Sequence, residues 1–156
     1  MKSNGPEHRS EHRSEHRSKL TRREVRETAF LLLYQAEVSG AGIDEILAEC
    51  AEAFGLESSP SAKKLAEGVL EHKDELDLII ARYSQTRKPE RIPKINLTIM
   101  RIAVYEMEFD PSIPGKVAIN EAVELAKEYA YEQDKNLING LLGSYFRDKT
   151  DTENGE

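Results

Sequence analysis

Apolar residues recur every three or four positions through most of the chain, and no stretch alternates apolar with polar convincingly enough to be a strand. Thr21-Arg-Arg-Glu24 has the form of a capping box, in which a hydroxyl and a carboxylate satisfy each other's free backbone donors. It predicts a helix from that point, with Val25, Ala29, Leu32, Leu33 and Ala36 on one face and Gly40 and Gly42 at its end. Ile43 to Phe54 repeats the pattern through Ile46, Leu47, Cys50 and Phe54, and Gly55 stops it. Ser59-Pro60 is an N-cap followed by proline at the first helical position, and it opens a segment that stays helical in pattern to about Ser84. Leu65, Val69, Leu70, Leu76, Ile79, Ile80 and Tyr83 line its expected buried side.

The span from Gln85 to Lys94 holds Pro89, Pro93 and four basic residues and reads as a connector. Ile95 to Phe109 is the most apolar helix. Ile99, Ile102, Ala103, Val104 and Met107 cover more of its circumference than one core-facing stripe requires, so either part of it awaits a partner or both sides are buried in a bundle. Asp110-Pro-Ser-Ile-Pro-Gly115 is a turn, and Val117 to Ala130 and Leu137 to Phe146 complete the set. The predicted fold is all-α, a bundle of about six or seven helices.

Before the first cap, residues 7 to 18 repeat Glu-His-Arg-Ser three times with no apolar residue, so residues 1–18 are expected to be a mobile tail. The repeat sets His8, His12 and His16 at helical i, i+4 spacing, but nothing there would hold three imidazoles together, and low-complexity expansion is the better reading. Residues 19–149 then form one domain, and residues 150–156 an acidic, disordered end. A length of 156 residues, 38% apolar, suits a single domain that holds its core without staples. Cys50 is the single cysteine, so no disulfide forms within the chain. The longest apolar run is the six residues from Ala29 to Tyr34, too short to cross a bilayer, and the N-terminus does not read as a secretory signal; a cytoplasmic protein is expected.

Enzymatic signatures are mostly absent. No glycine pattern forms a dinucleotide or phosphate-binding loop, and no His-Glu-x-x-His pair exists. His72 is the one histidine outside the tail, and its charged neighbours favour a solvent-facing structural role. Glu121, Glu124 and Glu128 fall on adjacent turns of one helix, where a solvated face is a better reading than metal or acid/base chemistry. No catalytic residue, metal or cofactor is expected.

Charge is more informative than composition. The net charge is -7, yet residues 1–26 carry eight basic against four acidic side chains and residues 82–101 carry six against one. Two basic islands therefore sit in an acidic body. Arg22, Arg23 and Arg26 occupy the start of the first helix, an end whose partial positive charge disfavours cations unless an anion offsets them. Phosphate suits guanidinium planes and free backbone N–H groups alike, so nucleic-acid contact, a solvated face and a protein contact all stay open here.

Three segments resemble the NusB family of bacterial transcription antitermination factors. They are Arg22-Arg-Glu-Val-Arg-Glu-Thr-Ala-Phe-Leu-Leu-Leu-Tyr-Gln35; Ile99-Met-Arg-Ile-Ala-Val-Tyr-Glu-Met107 with Ile113-Pro and Lys116-Val-Ala-Ile-Asn-Glu-Ala-Val-Glu-Leu-Ala-Lys127; and Ile138-Asn-Gly-Leu-Leu142. Order and spacing match from about Leu20 to Arg147.

The resemblance implies a two-lobed, non-catalytic helical bundle. It would pair with ribosomal protein NusE and bind single-stranded boxA RNA of nascent, chiefly ribosomal, transcripts, acting indirectly on the RNA polymerase elongation complex. By position it sets Arg22, Arg23, Arg26 and Tyr34 toward RNA, and Arg101, Tyr105 and Glu106 toward NusE. Many relatives carry Lys-Phe where Asn136-Leu137 stands here, and leucine cannot stack on a base as an aromatic ring does. A protein-binding helical scaffold or homodimer is the alternative reading. The helical RNA-recognition lobe of certain RNA methyltransferases is a third, set aside because the chain ends at Glu156 without a catalytic domain of typical size.

Overall fold

The computed structural model describes residues 20–54, 59–85 and 88–154. The Glu-His-Arg-Ser repeat, read above as a mobile tail, lies outside them. Among the described residues seven α-helices follow one another: α1 (Arg22–Ser39), α2 (Ile43–Phe54), α3 (Pro60–Glu71), α4 (Lys73–Tyr83), α5 (Lys94–Phe109), α6 (Gly115–Tyr129) and α7 (Asp134–Asn154). A short 3₁₀ turn at Pro89–Arg91 lies between α4 and α5. Among the described residues there is no strand, and no helix is long and apolar enough to cross a membrane.

The local signals act as their chemistry requires. The Thr21 hydroxyl accepts from the Glu24 amide at 3.1 Å, and the Glu24 carboxylate accepts from the Thr21 amide at 3.3 Å. Gly40 ends α1 in the left-handed region, with φ of 76°, and its N–H donates to Ala36 O at 2.9 Å. Ser59 caps α3 by accepting from the Ala62 amide at 3.1 Å, with Pro60 in the first turn.

The segment expected to run unbroken to about Ser84 is instead two helices, parted at His72. The His72 backbone leaves helical geometry, at φ −104° and ψ 16°, while its ring stacks on Phe109 with centroids 4.1 Å apart. Gly68, four residues earlier, lets the Tyr105 ring come so close that a Cβ there would overlap its hydroxyl. The break thus follows the aromatic end of α5, a tertiary contact that 3.6-residue periodicity does not encode. His72 is accordingly half-buried rather than solvent-facing. Leu70, expected in the core, is 38% exposed because the chain turns beside it.

Helix α5 is the centre of the bundle. It packs on α1, α3, α4, α6 and α7, and α1 to α3 pack among themselves as one lobe. Ten of its sixteen residues are buried, with Ile99, Met100, Ile102 and Val104 at most 2% exposed. Its wide apolar circumference is therefore covered within the bundle. Each such side chain contributes about 1.5–3 kcal/mol by leaving water.

The acidic end was expected to be disordered from residue 150, but α7 continues to Asn154. Tyr83 donates to Asp148 at 2.8 Å and Lys149 reaches Glu108 at 3.6 Å, so both α4 and α5 hold the last turns of α7.

Candidate nucleic-acid interface

The cap at Thr21 makes Arg22 and Arg23 the first two helical residues of α1. Their side chains are 64% and 63% exposed. Arg26 differs, because it lies three and four residues before Ala29 and Phe30 and so falls on the buried stripe. It is 4% exposed, and its Nε donates to both carboxylate oxygens of Glu106 at 2.9 Å. Glu106 is likewise 4% exposed and sits on the stripe of α5 that carries Ile99, Ile102 and Ala103. Two apolar stripes thus each carry one charge of opposite sign, and these meet inside. Burial pushes the Glu106 carboxyl above its ordinary range, against the opposing pull of Arg26.

Each of the three arginines meets a carboxylate. Arg22 reaches Asp110 at 3.9 Å and donates to the Ser112 hydroxyl at 3.3 Å. Arg23 makes a two-pronged pair with Glu121, Nε to Oε2 and Nη2 to Oε1, both at 3.1 Å. Glu121 also lies 3.9 Å from Arg26 Nη1. The basic island seen in sequence is thereby matched by acids from α5, α6 and the turn between them. Arg26 Nη2 alone among its nitrogens is buried without a hydrogen-bond partner.

The face that begins at Arg23 continues along α1 through Glu27, Phe30 and Tyr34. Glu27 accepts from Tyr129 of α6 at 2.6 Å, and burial together with this bond raises the Tyr129 hydroxyl pKa well above the usual phenol range. Phe30 lies between Tyr129 and Tyr34, with centroids 4.8 Å and 6.1 Å away. Tyr34 is half-buried on this row.

A second buried arginine lies on α5 itself. Arg101, 6% exposed, forms a two-pronged pair with Asp77 of α4 at 2.7 and 2.8 Å and lies 3.6 Å from Glu37 of α1. Lys73 and Lys94 each approach Glu37 at 3.5 Å. Burial works against the Glu37 carboxylate, yet Lys73, Arg101 and Lys94 together hold its pKa below the ordinary value. Tyr105 sits in the wall of a cleft of about 590 Å³ whose lining includes Arg22, Lys64 and Phe109.

A family model for the NusB family matches residues 23–147. The chain belongs to the NusB family. The transcription antitermination protein NusB of Thermoanaerobacter sp. (strain X514) is 42% identical over 135 residues, spanning 83% of this chain and 93% of that protein. The solved structure of T. maritima NusB superposes with a TM-score of 0.72 at 29% identity, over 81% of this chain and 91% of that one. A crystal structure of the antitermination factors NusB and NusE in complex with dsRNA gives 0.71 at 28% identity, over 81% and 96%.

Within this NusB fold, three expectations about surface residues change. Arg26 was expected to face RNA and Glu106 a protein partner, but their burial in one ion pair keeps both from the surface. Arg101, also expected at a partner surface, is enclosed by Asp77 and Glu37. Of the residues assigned to partner binding, Tyr105 keeps an accessible flank, on the cleft. Arg22, Arg23 and the half-buried Tyr34 stay in reach of a ligand.

Glu121, read as part of a solvated face, turns out to be the partner of Arg23; a charge pattern on one helix carries no signal for a residue 98 positions away. Glu124 pairs locally with Lys127 at 3.2 Å. Leu137 is 52% exposed on the first turns of α7, and Tyr131, just before that helix, is 74% exposed. Among the described residues, no group of three or more His, Cys, Asp or Glu side chains converges to hold a metal ion.

Proposed function

We propose that this chain is a transcription antitermination factor that binds single-stranded boxA RNA of nascent ribosomal transcripts together with ribosomal protein NusE. In this reading it works in the cytoplasm and catalyses no reaction. The observation that carries the proposal is the likeness, over 81% of the chain, to a NusB in complex with NusE and dsRNA, which supports RNA binding with NusE; the single-stranded boxA target rests on the family resemblance. Arg22 and Arg23, exposed at the positive end of α1, supply donors for phosphate, and Tyr34, half-buried further along the same helix, supplies an aromatic edge. Tyr105, on the cleft beside α3, is the residue through which α5 would touch the protein partner.

A gel-shift titration with boxA-like and scrambled RNA, with and without NusE, tests this reading. Tight, sequence-selective binding that requires NusE is expected. Equal binding of both RNAs regardless of NusE, or none at all, would leave the chain as a protein-binding scaffold.

A further inference from the structure

The arginine end of α1 is not a free basic patch, because an acid already holds each guanidinium. The three pairs differ in how easily they open. Arg26 and Glu106 are both buried, so neither leaves. Arg22 and Asp110 touch only at 3.9 Å, so little holds them. Arg23 and Glu121 combine a strong, two-pronged contact with unequal exposure, the arginine side chain 63% exposed and the glutamate 16%. The glutamate is the anchored member, kept near Arg26 Nη1 at 3.9 Å, and the arginine is the member free to swing outward. A carboxylate with two oxygens toward a guanidinium fork presents the same hydrogen-bonding geometry that an RNA phosphate offers.

We infer that Glu121 is a built-in competitor for RNA phosphate: it occupies Arg23 in the free protein and yields it when a backbone phosphate arrives. The inference rests on the proposed RNA-binding role of this end of α1. It makes Glu121 a positioning residue that acts through Arg23 and never touches RNA. Exchange of one anion for another lowers affinity for any isolated phosphate, so RNA that makes one contact is rejected and RNA that engages several groups at once is retained. When Arg23 departs, Glu121 is not stranded, since Arg26 stays beside it and the local charge is still partly balanced.

The test is a double-mutant cycle with Glu121→Gln, Arg23→Gln and their combination, read as affinity for a boxA-like single-stranded RNA in the presence of NusE across a salt series. Glu121→Gln keeps the side chain's size and one acceptor, and is expected to bind roughly three- to tenfold more tightly than the parent at low salt, since a charge-assisted pair no longer has to open. The advantage should shrink as salt rises and screens the parent's pair. It should vanish in the Arg23→Gln background. Glu124→Gln removes the same charge from the same helix without freeing Arg23 and is expected to change affinity little.

Glu121→Asp, which keeps the charge but draws back from the guanidinium, should show a smaller gain and serves if the glutamine variant fails to fold. If Arg23→Gln binds RNA as the parent does, the proposed role of this end of α1 fails. If Arg23→Gln binds more weakly yet Glu121→Gln shows no gain, or keeps its gain without Arg23, the competition fails while the binding role stands.

Discussion

Two buried arginines form ion pairs at α5, Arg101 from α5 itself and Arg26 from α1, and their surroundings are opposites. Arg101 is enclosed: Asp77 takes two of its nitrogens at 2.7 and 2.8 Å, Glu37 lies against a third, and Lys73 and Lys94 complete the charge balance. This cluster ties α1 and α4 to the central helix and leaves no group seeking a ligand. Arg26 is anchored as firmly by Glu106, but one of its nitrogens has no partner and its neighbours Arg22 and Arg23 stand at the rim with exchangeable acids. The same residue type therefore serves as a closed latch in one cluster and, under the proposed function, as the base of an anion-facing site in the other. Burial of charge alone marks neither; what separates them is whether the surrounding acids can let go.

The largest effect should come from breaking the base of the anion-facing site. Glu106→Gln takes away the carboxylate that accepts from the buried Arg26 guanidinium and leaves only Glu121, 3.9 Å from one nitrogen, as counter-charge; it is expected to lower unfolding free energy by about 3–5 kcal/mol. Urea denaturation checks it, and a loss within the ~0.5 kcal/mol typical of surface positions would show that Glu106 is not held as described. Asp77→Asn is the matched change in the latch. It should cost less, about 1–3 kcal/mol, because the Asp77 side chain is 19% exposed where that of Glu106 is 5%, and Glu37 stays 3.6 Å from Arg101.

Acid separates the two sides further. Glu37 is held below its unfolded value, so it contributes stability that is present above the ordinary glutamate range and lost as pH falls through its lowered folded value. Glu106 is raised by burial, so it takes up its proton at a higher pH than Glu37, and the charge it offers Arg26 is lost first as pH falls. Glu37→Gln should therefore flatten the loss of stability on acidification, measured as thermal midpoints across the acid range. An unchanged pH profile would remove Glu37 from the latch.

The helices were legible in sequence because caps and periodicity are local: the capping box at Thr21, the glycine stop at Gly40 and the Ser59-Pro60 start all act within a few residues. What was not legible depended on residues far apart. The break at His72 is set by Phe109 and Tyr105, and the ordered end of α7 by Glu108 and Tyr83. In the site, Arg22 and Arg23 were rightly placed at the start of a helix, but the partners that offset them lie some 90 positions on. The burial of Arg26 was readable in principle, since a lone arginine on the Ala29, Phe30 and Leu33 stripe must enter the core with a counter-charge, and Glu106 is the lone acid on the matching stripe of α5.

The smallest expected effect on the fold carries the most for function. Arg22→Ala with Arg23→Ala touches only exposed side chains, so the thermal midpoint should stay close to the parent's. The decisive measurement is the salt dependence of boxA RNA affinity for this double variant with NusE present. Loss of two phosphate contacts predicts weaker binding and a log-log salt slope shallower by about 1.4. A parent-like affinity and slope would contradict the assignment of RNA to the arginine end of α1.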